Sequence, residues 1–347
     1  MLYVTTREKN DIFTSYHTLC KDRGPCGGFY IPFRDIQYSA KEINGLKDKT
    51  FGQCIAEILN QFFSARLDGW DVDFCIGRRP VKLTAMSHKI LIAECWNNPE
   101  WDFARTVRNL RGRILGTQDN TDSPSDWIRI VVRIALLFGM IGELERFGIV
   151  DSNHPIDVSV CAGDFSAPMA VWYAREMGLP IGKIIFACNE NSGPWDLIHH
   201  GEIHCNAPVF HTATVNCDTA VPADLERMIH ASLGERECKR YISVLERKGL
   251  YTLDDEQLDN LQAGMFGAVV SQKRMTSVIR NVFRTSTYIL DPYTALAFGG
   301  LQDYRATHTD ANPALILSEQ GPMCYLDVVS DAMGIPMEEL KERIGYS

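Results

Sequence analysis

Residues 156–189 read IDVSVCAGDFSAPMAVWYAREMGLPIGKIIFACN. The apolar run DVSVC (157–161) predicts a strand, and AGDFSAP (162–168) a turn of small residues. MAVWYAREM (169–177) predicts a helix that stops at Gly178 and Pro180, and KIIFAC (183–188) a second strand. A strand–helix–strand unit of this length pairs its strands in parallel through a right-handed crossover. The fold class expected from this stretch is α/β, with a doubly wound and mainly parallel sheet.

Outward from that unit, Pro80–Leu83, Lys89–Cys95 and ALILSEQ (314–320) predict further strands. A helix is expected over Phe51–Phe63, where Cys54, Ile55, Ile58, Leu59 and Phe62 recur at helical spacing. Another should start near Pro99, a residue suited to a first helical turn, and run through Arg113 to stop before Gly116. GTQDNTDSPSD (116–126) is rich in turn formers, and Ser125 or Asp126 after it can cap a long helix through Phe147. The domain reading is therefore an N-terminal region over 1–115, a linker over 116–125 and a main α/β domain over 126–347.

The chain has 347 residues, 45% of them hydrophobic, with 35 Lys and Arg against 44 Asp and Glu, a net charge of −9. That balance speaks against nucleic acid or an anionic membrane as the partner, since neutralising phosphates needs clustered cations. MLYVTTREKNDIFTSY lacks the apolar core of a secretory signal, and IVVRIALLFGMIG (130–142) is broken by Arg133 and too short to span a bilayer. Eleven cysteines without a C-x-x-C pair suggest free thiols in a reducing compartment, so a cytoplasmic setting is expected. The long apolar helix also suggests a face for a second copy, so a homo-oligomer is expected.

Three stretches are candidates for chemistry. Open α/β sheets bind ligands at the carboxyl ends of their strands, which points to Gly163, Asp164, Phe165 and Ser166. Free amides at the helix start favour an anion, but Asp164 puts a carboxylate in the same turn; the alternative is a tight connection capped by Asp164 or Ser166. ECWNNPEWDFAR (94–105) offers either an aromatic-walled pocket with Asn97, Asn98 and Glu100, or core aromatics at a strand–helix junction. LIHHGEIHCNAPVFH (197–211) carries zinc-type ligands, yet Gly201 and Pro208 argue for solvated loop histidines, and no metal is expected. A G-x-S-x-G elbow, a P-loop and a full G-x-G-x-x-G are all absent from the sequence.

Several segments in order resemble threonine synthase, a pyridoxal-phosphate lyase on the fold type II, tryptophan synthase β-like scaffold. GPCGGFYIP (24–32) resembles the family's D-G-G-L-Y-x-P turn, and SPSDWIRI (123–130) its N-S-I-N-W-A-R-I, keeping Trp127, Arg129 and Ile130. Residues 160–191 resemble V-P-T-G-N-F-G-N…A-x-x-M-G-L-P-I-x-x-x-I-x-A-T-N-E-N, ADLERMI (223–229) resembles S-N-F-E-R-L, and LDPYTALA (290–297) resembles D-P-H-T-A. The resemblance adds Asn189 and Thr294 to the ligand-binding candidates.

The departures bear on chemistry. The family's H-G-P-T-x-A-F-K-D supplies the lysine that forms the Schiff base; NNPEWDFAR (97–105) stands there, with Ala104 at the lysine position and no lysine between Lys89 and Lys183. Arg105 cannot replace it, because a guanidinium stays protonated and is no nucleophile. T-G-N-F-G-N has become Ala162–Ala167 with Asp164 inside it, and H-P-x-K-F has become GPMCY (321–325) without its lysine. The short linker over 116–125 stands where the family inserts its cofactor-covering domain, which is therefore expected to be much reduced. The resemblance then implies a pseudoenzyme that binds an amino-acid-like small molecule, with Asp164 on its ammonium and Asn97 or Arg105 on its carboxylate, and without a cofactor. The alternatives are an active lyase on O-phosphohomoserine, with pyridoxal phosphate on Lys82, Lys89 or Lys273, or cofactor-independent chemistry using Asp164, Glu100 or Cys161.

Overall fold

In the computed structural model, a six-stranded sheet runs in the order Met265–Val269, Ile181–Cys188, Ile156–Cys161, Ala314–Ser318, Ile90–Glu94, Lys82–Ser87. The first five strands are parallel and the sixth is antiparallel, so the fold is α/β with a mainly parallel mixed sheet. The structure describes residues 1–78, 80–87, 89–96, 102–116, 125–151, 153–309 and 312–345. Two small antiparallel sheets flank the large one: Leu2–Thr5 between Phe13–Thr14 and Tyr30–Pro32, and Glu202–His204 with Leu250–Thr252.

The unit read from residues 156–189 forms as expected, with strand Ile156–Cys161, helix Ser166–Glu176 and strand Ile181–Cys188 in parallel register at Val158 and Ile184. Strands from the N-terminal region, Lys82–Ser87 and Ile90–Glu94, join the same sheet through Ala314–Ser318, with Ile316 opposite Ile92. Buried strands like these carry apolar residues on both faces, as Ala314–Ser318 does.

The helix Asp126–Arg146 is the spine of the core. Residues from Trp127 to Leu144 are buried on nearly every side of it. The apolar surface expected to receive a second copy is therefore used inside the chain, against helix Phe51–Phe63 and helix Ser166–Glu176. Close approach needs small residues at two points. A Cβ on Gly139 would stand 2.8 Å from the Phe51 ring, and one on Gly142 3.0 Å from the Leu46 carbonyl oxygen. Helix Phe51–Phe63 starts with a reciprocal cap, Gln53 N donating to Thr50 Oγ1 at 3.2 Å and Thr50 N to Gln53 Oε1 at 2.8 Å. Ser125 stands at the N-cap of the spine, but its hydroxyl turns away to the Thr18 carbonyl, and Asp22 Oδ1 accepts the Asp126 amide at 2.9 Å.

The helix expected from Pro99 is described from Phe103 to Leu115. Asp102 is its cap, accepting the Arg105 amide at 2.7 Å, so the start moves downstream to the residue that satisfies it. Pro99, with Asn97, Asn98 and Glu100, lies outside the described residues. Among the described residues, no helix is long and apolar enough to cross a membrane.

Candidate functional site

A cleft of about 230 Å³ opens at the carboxyl ends of Ile156–Cys161 and Ala314–Ser318. The chain leaves the first of these strands for the neighbour on one side, while the second borders it on the other, and such a switch point leaves a crevice. One wall is the turn Ala162–Ala167. Its Phe165 amide donates to the Ala162 carbonyl at 2.7 Å, which closes the turn tightly. Gly163 sits at φ +50° and Phe165 at φ +71°, left-handed conformations that cost a side-chain-bearing residue about 1 kcal/mol. Phe165 is held there because its ring is fully buried, edge-on to Phe186 at 5.1 Å.

Asp164 faces the cleft, and its Oδ1 accepts the Ser166 amide at 2.9 Å together with the Ser166 hydroxyl. The amide that an incoming anion would use at this helix start is therefore taken by the protein's own carboxylate. The Asp164 carbonyl in turn accepts the Asp224 amide at 3.0 Å, which anchors the turn to the helix Leu225–Lys248.

The spine helix supplies two cations one turn apart. Arg133 is buried and pairs with Glu319 through both ends of its fork, Nη2 to Oε2 at 2.9 Å and Nε to Oε1. It also donates to Ser166 Oγ at 3.0 Å and lies over the Phe103 ring at 4.5 Å. Arg129 lines the same cleft, half-buried, with no hydrogen-bond or ion-pair partner among the described residues. Once Arg133 and Glu319 neutralise each other, the described lining of the cleft keeps one cation, Arg129, and one carboxylate, Asp164. Asn216, Thr294 and Gln320 add polar groups, and Tyr293 adds a ring whose hydroxyl is pushed up to about 12 by burial.

Among the expected site residues, the structure brings Gly163, Asp164 and Thr294 to the cleft, with Ala104 beside Phe103 in its wall. Ser166 is buried beneath the turn between Asp164 and Arg133. Phe165 supports the turn from inside. Thr294 keeps its hydroxyl on Asp291 and stands 2.8 Å from Ser318 Oγ. Asn189 is a structural residue: its amide nitrogen donates to Thr212 and Asp218 at 2.8 Å and to Thr214 at 3.1 Å, fastening the loop after it. Arg105 is not among the cleft's lining residues. His199 and His200 belong to helix Gly193–His200 and not to a loop; His199 stacks on Trp195 at 4.7 Å and reaches the Gly267 carbonyl at 3.0 Å.

Sequence reasoning missed Arg129 and Arg133 as site residues, and Glu319 and Asn216 with them. The signal was present: two arginines at i and i+4 inside an otherwise apolar helix must both find a polar opening on the same face.

No protein-family profile matches the chain. It is 26% identical over 263 residues to threonine synthase-like 1 of Homo sapiens, a match covering 73% of this chain and 32% of that protein. It is 22% identical over 227 residues to threonine synthase of Pseudomonas aeruginosa, covering 64% and 46% respectively. The chain thus spans about a third to a half of the length of these relatives. Its fold superposes on threonine synthase of Brucella melitensis with a TM-score of 0.84 at 17% identity, covering 99% of this chain and 94% of that one. Yeast threonine synthase gives 0.83 at 15% identity, covering 99% and 93%.

These likenesses correct one expectation. The sequence argued for no cofactor, but the Brucella protein of the same fold is described with pyridoxal phosphate bound, so the scaffold is one that carries that group. What the residues here oppose is a covalent link to it: Ala104 lines the cleft, and no lysine stands among its described lining residues. The Asp164 carboxylate across the Ser166 amide is likewise a poor fit to a bound phosphate. The chain is thus similar in sequence to threonine synthase-like 1 and to threonine synthase, and it shares the fold of solved threonine synthases.

Proposed function

We propose that this chain is a threonine synthase-like pseudoenzyme that binds a small zwitterion of amino-acid type in its cleft and performs no imine chemistry. The observation that carries this is a pair of opposite charges lining the cleft: Asp164, and Arg129, which has no hydrogen-bond or ion-pair partner among the described residues. The guanidinium suits a ligand carboxylate, because its planar fork matches two oxygens, and Asp164 suits an ammonium. In this reading Arg129 takes the carboxylate that Asn97 or Arg105 was expected to hold, while Asn97, Asn98 and Glu100, outside the described residues, remain candidates. Gly163 lets the turn approach the ligand closely, and the Asn216 side chain offers hydrogen bonds. The eleven free cysteines support a reducing, cytoplasmic setting.

The test is a thermal-shift and calorimetric titration with L-threonine, L-homoserine, O-phosphohomoserine and pyridoxal phosphate. At least one amino acid should raise the melting temperature, and both Arg129→Ala and Asp164→Ala should abolish that shift. Spectra with pyridoxal phosphate, followed by borohydride reduction and intact mass, complete the test. A reduced adduct at a single lysine would overturn the pseudoenzyme reading. An amino-acid shift untouched by either variant would overturn the assignment of the two charges.

A further inference from the structure

Cys161 and Cys217 stand with their sulfur atoms 3.1 Å apart, both free thiols, one lining the cleft and the other buried behind it. Cys161 is the last residue of the strand Ile156–Cys161, leads directly into the Ala162–Ala167 turn and lines the cleft. Cys217 ends the short 3-10 turn Val215–Cys217, whose Asn216 also lines the cleft. The two thiols are 56 residues apart in sequence and belong to separate elements. A disulfide needs sulfurs about 2.05 Å apart, so an approach of about 1 Å would join them.

We infer that Cys161 and Cys217 form a redox-active dithiol in the cleft wall, closing to a disulfide that fixes the Asn216 turn against the strand end. Two S–H bonds break and one S–S bond forms. Two electrons and two protons pass to an acceptor: glutathione disulfide, which leaves as two glutathione thiols, or diamide, whose N=N double bond becomes an HN–NH single bond. The turn is otherwise tethered to this wall by polar contacts. The Asn189 amide reaches Thr214 and Asp218 on either side of it, and the Asn216 amide donates to the Tyr293 hydroxyl at 3.3 Å. A covalent bond would convert this hydrogen-bonded wall into a fixed one, which makes the cleft's shape depend on redox state. The inference does not depend on which ligand the cleft binds.

The hydrogen bond with Cys217, followed by burial, pushes the Cys161 thiol well up, so this pair oxidises more slowly than the exposed Cys20, Cys26, Cys205 and Cys324. Cys188, fully buried on the adjacent strand, is the competing partner.

The experiment treats the folded full chain with diamide for hours, blocks remaining thiols with N-ethylmaleimide and maps peptides without reduction. The expected result is a linked Cys161–Cys217 peptide pair, lighter by two hydrogens, lost on adding dithiothreitol and absent from Cys217→Ser. The same mapping on a variant with the four exposed cysteines changed to serine should retain the link, while the native chain gives the answer if that variant does not fold. Recovery of Cys161 and Cys217 as maleimide adducts after the exposed thiols have oxidised would overturn the inference. A Cys188 link in place of the Cys161–Cys217 link would overturn it equally.

Discussion

Arg133 and Glu319 form a two-point ion pair that ties the middle of the spine helix to the residue just beyond the strand Ala314–Ser318. The guanidinium is buried and the carboxylate about three-quarters so. Removing one partner leaves the other charge unsatisfied at the cleft. Glu319→Ala is expected to destabilise by about 2–3 kcal/mol, measured by urea unfolding, because a hydrogen-bonded charge is costly to orphan. Replacing both residues with apolar ones of similar size should cost less than the two single changes combined, which a double-mutant cycle would read directly.

Arg129 makes the opposite prediction although it lies one turn away. With no hydrogen-bond or ion-pair partner among the described residues, Arg129→Ala should leave unfolding stability within about 0.5 kcal/mol of the parent. Its effect should appear only in ligand titration. A large loss of stability would mean that the guanidinium is structural.

Gly139 sets the distance between the spine and helix Phe51–Phe63. In Gly139→Ala, the new methyl group meets the Phe51 ring at 2.8 Å, well inside contact distance. Overpacking of this kind typically costs about 1–3 kcal/mol, outweighing the gain in helix propensity. The expected drop in the urea midpoint should be relieved in part by Phe51→Leu, since a smaller, flexible side chain can yield.

His230 gives the fold an acid sensitivity. Burial, with Lys9 nearby, pulls its pKa from the ordinary 6.5 down to about 4, against the opposing pull of Glu235 and Glu226. Its Nε2 has no hydrogen-bond partner among the described residues. Between pH about 6.5 and about 4 the unfolded chain takes up a proton that the folded chain resists. Stability contributed at neutral pH is therefore lost on acidification across that window, on the order of 2 kcal/mol after allowing for partial exposure. Melting curves across the window should show this slope, and His230→Gln should flatten it.

The central strand–helix–strand unit was legible because its periodicity, turn and stops all agree, and the spine helix because it is apolar on most faces. The start of helix Phe103–Leu115 was placed too early because a proline suits a first helical turn, whereas the cap is Asp102, whose side chain accepts the Arg105 amide. Asp164 and Gly163 were legible as residues at the carboxyl end of a parallel strand, where a crevice opens in such sheets. Arg129 and Arg133 were not, because a charge inside an apolar run reads first as an interruption. Only the packing shows that the same face of the helix meets the end of strand Ala314–Ser318. Asn189 was named by motif, and nothing in its local sequence says that its amide would bond Thr212, Thr214 and Asp218 in the loop that follows.

The strand Ala314–Ser318 sits between Ile156–Cys161 and Ile90–Glu94, yet it is the last strand of the sheet to be synthesised. Until it arrives, both neighbours present an open hydrogen-bonding edge toward the gap it fills. Nascent or C-terminally truncated chains lacking this strand would expose two apolar parallel edges at once, the kind of surface on which chains associate wrongly. Folding of this topology is dominated by contacts between distant parts of the chain and should be correspondingly slow. The chain's most dangerous period is thus the interval before the strand Ala314–Ser318 leaves the ribosome.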